Sequence, residues 1–447
     1  MIRSRHVTRR NALQLGVAAA ALPLVHIRTA GAAGKLAIGF WDHWIPNATN
    51  TMTKHVNAWA DKNKVEVTID YITSNGFKIE VTQAAEAQAS TGHDMLPFYN
   101  WEVQTYADKL EPVDDVIKQM VGQFGNYSPI HEYLAKAKGH WVAVPSSTGT
   151  LNLTGVGRIS LLKQLAGIDV LEMYPAHKSD PAAAAGWNYD AFLKAAEACQ
   201  KGGYAFGLGL GQTGDSVNNV GCMMNAFGVE LVNAKGEITA DSPATHAALD
   251  YARKLVQFLP PDAVSYDDAS NNRALISGKS AFIMNPPSAW AVAKRDAPDV
   301  AKDCWHFPMP VGAKGRYIPY NYCFYGAWNF GQNKSAAKEL IMYLQERKQV
   351  GEREVASDGY DLPPLLSMND FEIWSEVEPP KGTVYNYPIR PWHNSLESFT
   401  GYPAPPDIGA QIYSRAIHPT MWAKVLSGQS NEEVIAWTKN ELEGFVR

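Results

Sequence analysis

The residues best suited to chemistry are aromatic side chains set beside carboxylates and amides. Trp41-Asp42-His43-Trp44 follows the first apolar run of the chain, and Tyr99-Asn100-Trp101-Glu102 follows the third. Trp290 comes just after a run that ends at Met284, Trp328 sits in a later run, and Trp392 completes the candidate set. An indole ring packs on an apolar C–H face, while neighbouring Asp, Asn and Glu pair with hydroxyls. Together they suit a hydroxyl-rich guest held without covalent chemistry. Trp59, Trp187 and Trp437 fall at helical positions and read as core.

The chain carries none of the common catalytic signatures. There is no H-E-x-x-H and no G-x-S-x-G. Gly278-Lys279-Ser280 is similar to the end of a phosphate-binding loop, but Arg273 stands where the required glycine would be. The 12 histidines show no metal-ligand spacing, so no metal and no cofactor are expected. Gly209-Leu-Gly-Gln-Thr-Gly214 matches G-x-G-x-x-G, which needs a strand before it and a helix directly after. Asp215-Ser-Val-Asn-Asn reads as a turn, so a glycine loop beside a cleft is expected instead. Cys199, Cys222, Cys304 and Cys323 form no C-x-x-C pair; buried free thiols and a single bridge both remain open. An exported glycoside hydrolase would need a carboxylate pair about 5–10 Å apart. Asp42 and Glu102 are its candidates, with no motif behind them.

Particular elements must position the candidates. Lys35–Trp41 reads as a buried strand. Met52, Val56 and Trp59 lie at i, i+4, i+7 of a helix. Val65–Tyr71 alternates as a half-solvated strand, residues 78–91 read as a helix, and Met95–Tyr99 as a third strand. This order implies a parallel, doubly wound sheet, with ligands beyond the carboxyl ends of its strands. Around Trp141–Pro145 the texture changes to Ser-Ser-Thr-Gly-Thr150, a crossover between lobes. The second region has a helix capped by Asn188, with Trp187 and Phe192 at staple spacing. A strand over 204–210, helices over 244–258 and 269–277, and a strand ending at Met284 follow. Gly326–Phe330 reads as a strand, and Ala337, Leu340, Ile341 and Leu344 share a helix face. Residues 357–406 read as irregular, and Ser430-x-x-Glu433 is a capping box.

Arg3, Arg5, Arg9 and Arg10 precede an Ala-rich apolar stretch and the small residues Ala30-Gly31-Ala32. This reads as a cleaved export signal over 1–32, twin-arginine-like at Arg9-Arg10, and too short for a membrane anchor. No cysteine precedes Cys199, so a lipoprotein anchor is not expected. The leader holds five arginines and no carboxylate, leaving 35 basic against 45 acidic residues, a formal charge of −10. Such a surface argues against nucleic acid or an anionic membrane as partner. A periplasmic monomer without a membrane span is expected.

The motifs, in their order along the chain, resemble the family 1 extracellular solute-binding proteins. Gly92-His-Asp94 with the apolar residues after it resembles the family's "Gly–x–Asp–hydrophobic" segment. Gly139-His-Trp-Val-Ala-Val-Pro145 resembles its "Gly–Lys–x–Tyr–x–x–Pro", Leu165-Ala-Gly-Ile-Asp169 its "Ala–Gly–Ile–Asp", and Gly186-Trp-Asn-Tyr-Asp its "Thr–Trp–Asp–Glu–Phe". Gly278-Lys-Ser-Ala-Phe…Trp290 resembles "Gly–Lys–Ala–Ala–Met…Gly–x–Trp", whose tryptophan stacks on ligand. Val156-Gly157-Arg158 departs from the family's Tyr-Asn, and Pro286-Pro287 from its glycine. The resemblance implies an α/β fold of two doubly wound lobes joined by hinge crossings, the type II periplasmic binding protein. Lobe one would take residues 33–147 and 325–362, and lobe two 148–324 and 363–447. It implies the substrate-binding component of an ABC importer, closing on a mono- or oligosaccharide and handing it to permease subunits. A variant ligand, such as a phosphorylated polyol, would need a cation in the cleft, for which Arg158, Arg273 and Arg390 are candidates.

Overall fold

Short apolar runs become strands where helices cover the sheet they form. The computed structural model describes residues 34–175, 180–368 and 395–446. The expected leader, Arg390 and Trp392 lie outside the described residues.

β1 (Lys35–Trp41) pairs in parallel with β2 (Glu66–Ile72), Lys35 facing Glu66, and with β3 (Met95–Tyr99), Ile38 facing Met95. The helices Pro46–Asn63 and Lys78–Ala89 make the crossovers. The first buries Met52, Val56 and Trp59, the periodic face read from the sequence. β2 lies at the sheet edge, which is why its alternating side chains are only half covered.

β4 (Val144–Asn152) is buried along its whole length, and after Leu153 alone the chain enters β5 (Thr154–Arg158). β5 is the centre of a second sheet, flanked antiparallel by β6 (Phe282–Asn285) and β7 (Cys304–Phe307). β8 (Gly315–Ala327) returns to the first sheet, antiparallel to both β3 and β4. β9 (Leu396–Ser398) adds to β8 in parallel. Two adjacent long strands, β4 and β8, thus carry the chain between the lobes. The expected boundaries at 147/148 and 324/325 fall inside them.

The second lobe closes around stacked and edge-on rings. Phe206 and Phe282 have centroids 4.9 Å apart, and Phe192 and Phe206 5.1 Å. The helix Tyr189–Lys201 begins where Asn188 Oδ1 accepts from the N–H groups of Asp190 and Ala191, a cap worth about 1 kcal/mol. Trp187 before it is buried, its Nε1 donating to Pro308 O at 2.9 Å. The capping box is present at Ser430 and Glu433.

Three expectations fail here, the first at Gly326–Phe330, where β8 already ends at Ala327 and Asn329 and Phe330 form a turn. Residues 204–210 form no strand; Gly207 N–H donates to Phe282 O, and the segment runs on without a ladder. Gly203, Gly207, Gly209 and Gly211 leave it too few side chains to pack as one. The stretch read as a turn after Gly214 is instead a helix, Gly214–Phe227, capped by Thr213. Its amides and serine are buried by the fold around them, and tertiary cover overrides their turn-like character. All four cysteines are buried free thiols. No helix among the described residues is long and apolar enough to cross a membrane.

Candidate functional site

A cavity of about 410 Å³ is lined from both lobes. That is within the ~300–1,000 Å³ typical of small-molecule sites. Six candidates read from the sequence line it: Trp41, Trp44, Tyr99, Asn100, Trp101 and Glu102. They converge because β1 and β3 are parallel neighbours whose carboxyl ends open on the same edge.

Asn100 makes the turn after β3 with φ at 49°, a left-handed conformation that Asn tolerates better than most residues. Its Oδ1 accepts from Tyr322 N–H at 2.8 Å. Its Nδ2 donates to Asn321 Oδ1 at 2.6 Å and to the Tyr413 hydroxyl at 2.9 Å. Asn218, on the second lobe's helix, donates to the same hydroxyl at 3.2 Å. Tyr413 therefore accepts from an amide on each lobe. Gly149, with φ at 83°, passes close under Tyr99, and a Cβ there would lie 2.9 Å from the ring. Trp101 is nearly enclosed, its Nε1 donating to Thr400 O at 2.9 Å. Trp41 donates from Nε1 to Ser74 Oγ at 3.3 Å, and Trp44 is half-buried.

The other described candidates do not line the cavity. Asp42 is exposed. His43 is buried behind the wall. Its Nδ1 accepts from Ile45 N–H, which leaves Nε2–H to donate to Asp361 Oδ1 at 3.3 Å. The same Asp361 oxygen accepts from Gly149 N–H, so His43 braces the cavity lining from outside it.

Trp290 was expected to stack on ligand, and the structure places it elsewhere. Its relative exposure is 0%, and it packs in the core with Ile283 and Ala289. The helix Ser288–Asp296 presents Ser288 to the cavity; two residues on, about 200° round the helix, Trp290 faces the interior. Trp328 also lies away from the cavity, for a different reason. It follows β8, which runs antiparallel to β3, so it emerges at the opposite edge, beside Asp94. There it is fully buried, donates to Glu86 Oε2 at 2.9 Å and meets Phe98 edge-on at 5.2 Å.

Residues that sequence reasoning did not select complete the lining. Gln212, Thr213 and Asp215 arrive with the start of the helix Gly214–Phe227, and Asp268 and Asn272 with the segment facing it. The glycine pattern at 209–214 was the one signal for this loop. No strand precedes it, and the acids Asp215 and Asp268 line the cavity beside it, which opposes a pyrophosphate there. Phe77, more than half exposed with φ at 56°, Glu80, Tyr360 and Tyr413 had no local signal at all.

The electrostatics are one-sided. No Lys, Arg or His is among the described residues lining the cavity. Arg158 is committed to Asp303 at 2.8 Å and Arg273 to Asp267 at 2.8 Å, so neither supplies the cation that a phosphorylated ligand would need. Burial, and next to it the charge of Glu80, pushes the Glu102 carboxyl up to about 8, although its Oε2 accepts from Tyr99 N–H and Gln83 Nε2. Burial and Asp268 raise Glu80, and burial and Asp268 hold Asp215 well above the carboxylate range. Asp268 is raised by burial in turn.

Two α/β lobes linked by paired crossing strands, with a lined cavity between them, define a bilobal binding protein. The chain belongs to the bacterial extracellular solute-binding protein family, whose pattern matches residues 54–379. A Deinococcus radiodurans protein called "Probable ABC transporter-binding protein" is 27% identical over 131 residues, 27% of this chain and 30% of that protein. The match thus spans less than a third of that relative. Among solved structures, the maltose-bound MalE3 of T. maritima is similar with a TM-score of 0.70 at 18% identity, covering 92% of this chain and 99% of that one. The GacH receptor of Streptomyces glaucescens, solved unliganded and with acarbose, gives 0.69 at 20%, covering 93% and 99%. A laminaribiose-bound sugar transporter from Arthrobacter chlorophenolicus gives 0.68 at 18%, covering 93% and 100%.

Proposed function

We propose that this chain is the substrate-binding component of an ABC importer, exported through its N-terminal leader to the periplasm, and that it captures a mono- or oligosaccharide between its lobes. The observation that carries this reading is the cavity itself. It sets Trp44, Tyr99 and Trp101 among the amides and carboxylates of Asn100, Gln212, Asn272 and Glu102. Rings take the C–H faces of a pyranose, and the polar groups take its hydroxyls. Proteins of the same fold carry maltose, acarbose and laminaribiose, which supports the substrate class.

In this reading the lobes correspond to residues 33–147 with 325–362 and 148–324 with 363–447. Ligand favours the closed arrangement because only there does it touch both lobes, and β4 and β8 absorb the motion. The permease subunits then meet a closed monomer. No bond is made or broken.

The test is a thermal-shift and calorimetric screen of the purified protein against mono- and disaccharides. A saccharide that binds only the folded state raises the melting temperature, by an amount that grows with its concentration. It should be retained at one per chain and recovered unchanged. Trp44→Ala should weaken that binding about tenfold or more, since an aromatic contact and its buried area are lost together. Accumulation of a cleaved product would overturn the reading in favour of a hydrolase, as would a screen in which no saccharide binds.

A further inference from the structure

Four carboxylates enter the cavity, Glu80 and Glu102 from the first lobe and Asp215 and Asp268 from the second. None of the four forms an ion pair among the described residues. Their partners are neutral. Glu102 accepts from Tyr99 N–H at 2.7 Å and Gln83 Nε2 at 2.8 Å, Asp215 from Asn271 Nδ2 at 2.9 Å, and Asp268 from Asp215 N–H at 3.2 Å. Hydrogen bonds of this kind satisfy lone pairs but supply no counter-charge, so burial disfavours the ionised acids until a cation joins them.

The unmet hydrogen-bonding capacity has a direction. Asn218, 2% exposed and part of the lining, has an Oδ1 with no partner. Glu80 Oε2 is buried and likewise has none. Both are acceptors, and both call for donors from the ligand. A hydroxyl can donate one proton; an ammonium donates three and brings a positive charge that no described lining residue supplies. The aromatic faces beside these acids, Trp44 and Phe77 among them, are themselves attractive to a cation.

We propose that the ligand carries an aliphatic ammonium group, seated between the acids of the two lobes near Glu80, Asp268 and Asn218. Resting on the carbohydrate reading above, this makes the substrate an amino saccharide. The mutual elevation of these carboxyls fits such a ligand. Burial raises each of them first; Glu80 adds to the shift of Glu102, Asp268 adds to that of Asp215, and Glu80 feels Asp268 of the other lobe, so a bound cation would favour the ionised forms. It would also tie closure to charge, because the two sets of acids approach one another only when the lobes shut.

The experiment is calorimetry at neutral pH with four probes: the glucosamine disaccharide with both amines free, its di-N-acetylated counterpart, cellobiose, and spermidine. The free-amine disaccharide should bind about tenfold or more tighter than the two neutral sugars, and high salt should narrow the gap. Asp268→Asn and Glu80→Gln, both near-isosteric, should each erase most of that preference, with melting curves confirming that the variants are folded. Equal or tighter binding of the neutral sugars overturns the ammonium site and leaves the carbohydrate reading standing. Spermidine binding without any saccharide keeps the ammonium site and removes the carbohydrate reading. If none of the four binds, the ammonium site is overturned, and the wider saccharide screen decides the carbohydrate reading.

Discussion

Trp44 and Trp290 are the same side chain in two different settings, and they should respond to truncation in opposite ways. Trp290 is enclosed by core residues, with Lys294 Nζ 4.3 Å from its ring centroid. Trp290→Ala should lower the unfolding free energy by about 3–5 kcal/mol, the range for a large aromatic deleted from a core, as read by urea denaturation. Trp44 is half-buried at the cavity, so its truncation should be felt in affinity more than in stability. From sequence the two were indistinguishable, because both follow an apolar run. What separates them is the rotation of one helix and where its cap falls. Glu80 and Asp268 were invisible for a related reason: an acid on a helix or in a loop reads as solvated until the opposite lobe covers it.

At the scale of elements, the helix Pro406–Ser414 shapes the site both through its own lining residue Tyr413 and through what it packs against. Gly409 packs directly on the six-membered ring of Trp101, and a Cβ there would overlap the ring. Gly409→Ala should therefore displace Trp101, lowering both the melting temperature and ligand affinity, whereas Ala is ordinarily the better helix former. Tryptophan fluorescence would report the displaced indole alongside the melt. Several elements were legible beforehand. The helix over Met52, Val56 and Trp59, the Asn188 cap and the Ser430 capping box each depend on residues within a few positions of one another. The helix Gly214–Phe227 was not. Ser216, Asn218 and Asn219 on it are buried polar residues, and only their burial makes a helix of a sequence that locally suits a turn.

At the scale of the whole molecule, stability and binding are linked to pH through groups sealed by the fold. His418 is enclosed on the helix Ile417–Leu426, and burial pulls its imidazole down to about 4 from 6.5. The unfolded chain takes up the proton first as pH falls. The stability this residue contributes is therefore intact above about 6.5 and is lost as pH falls towards 4, amounting to about 3 kcal/mol. Denaturation at neutral pH and near pH 4.5 should show that loss, and His418→Gln should flatten it. Closure is a property of the same scale. The Tyr413 hydroxyl joins Asn100 to Asn218, residues 118 positions apart in the chain, and no local pattern announces such a bridge.

The sequence by itself determined the family, the α/β character, the strand ends where Trp41, Trp44 and Tyr99–Glu102 gather, and the helices with local caps. These follow from periodicity, from capping chemistry and from motif order, all written within short stretches of chain. Only the tertiary structure decided which aromatics face the gap, that β8 runs against β3 and so takes Trp328 to the far edge, and that four acids meet with no cation beside them among the described residues. Strand direction, helix rotation and lobe apposition are set by contacts between residues hundreds of positions apart, and burial, which governs both packing and charge, exists only once those contacts are made.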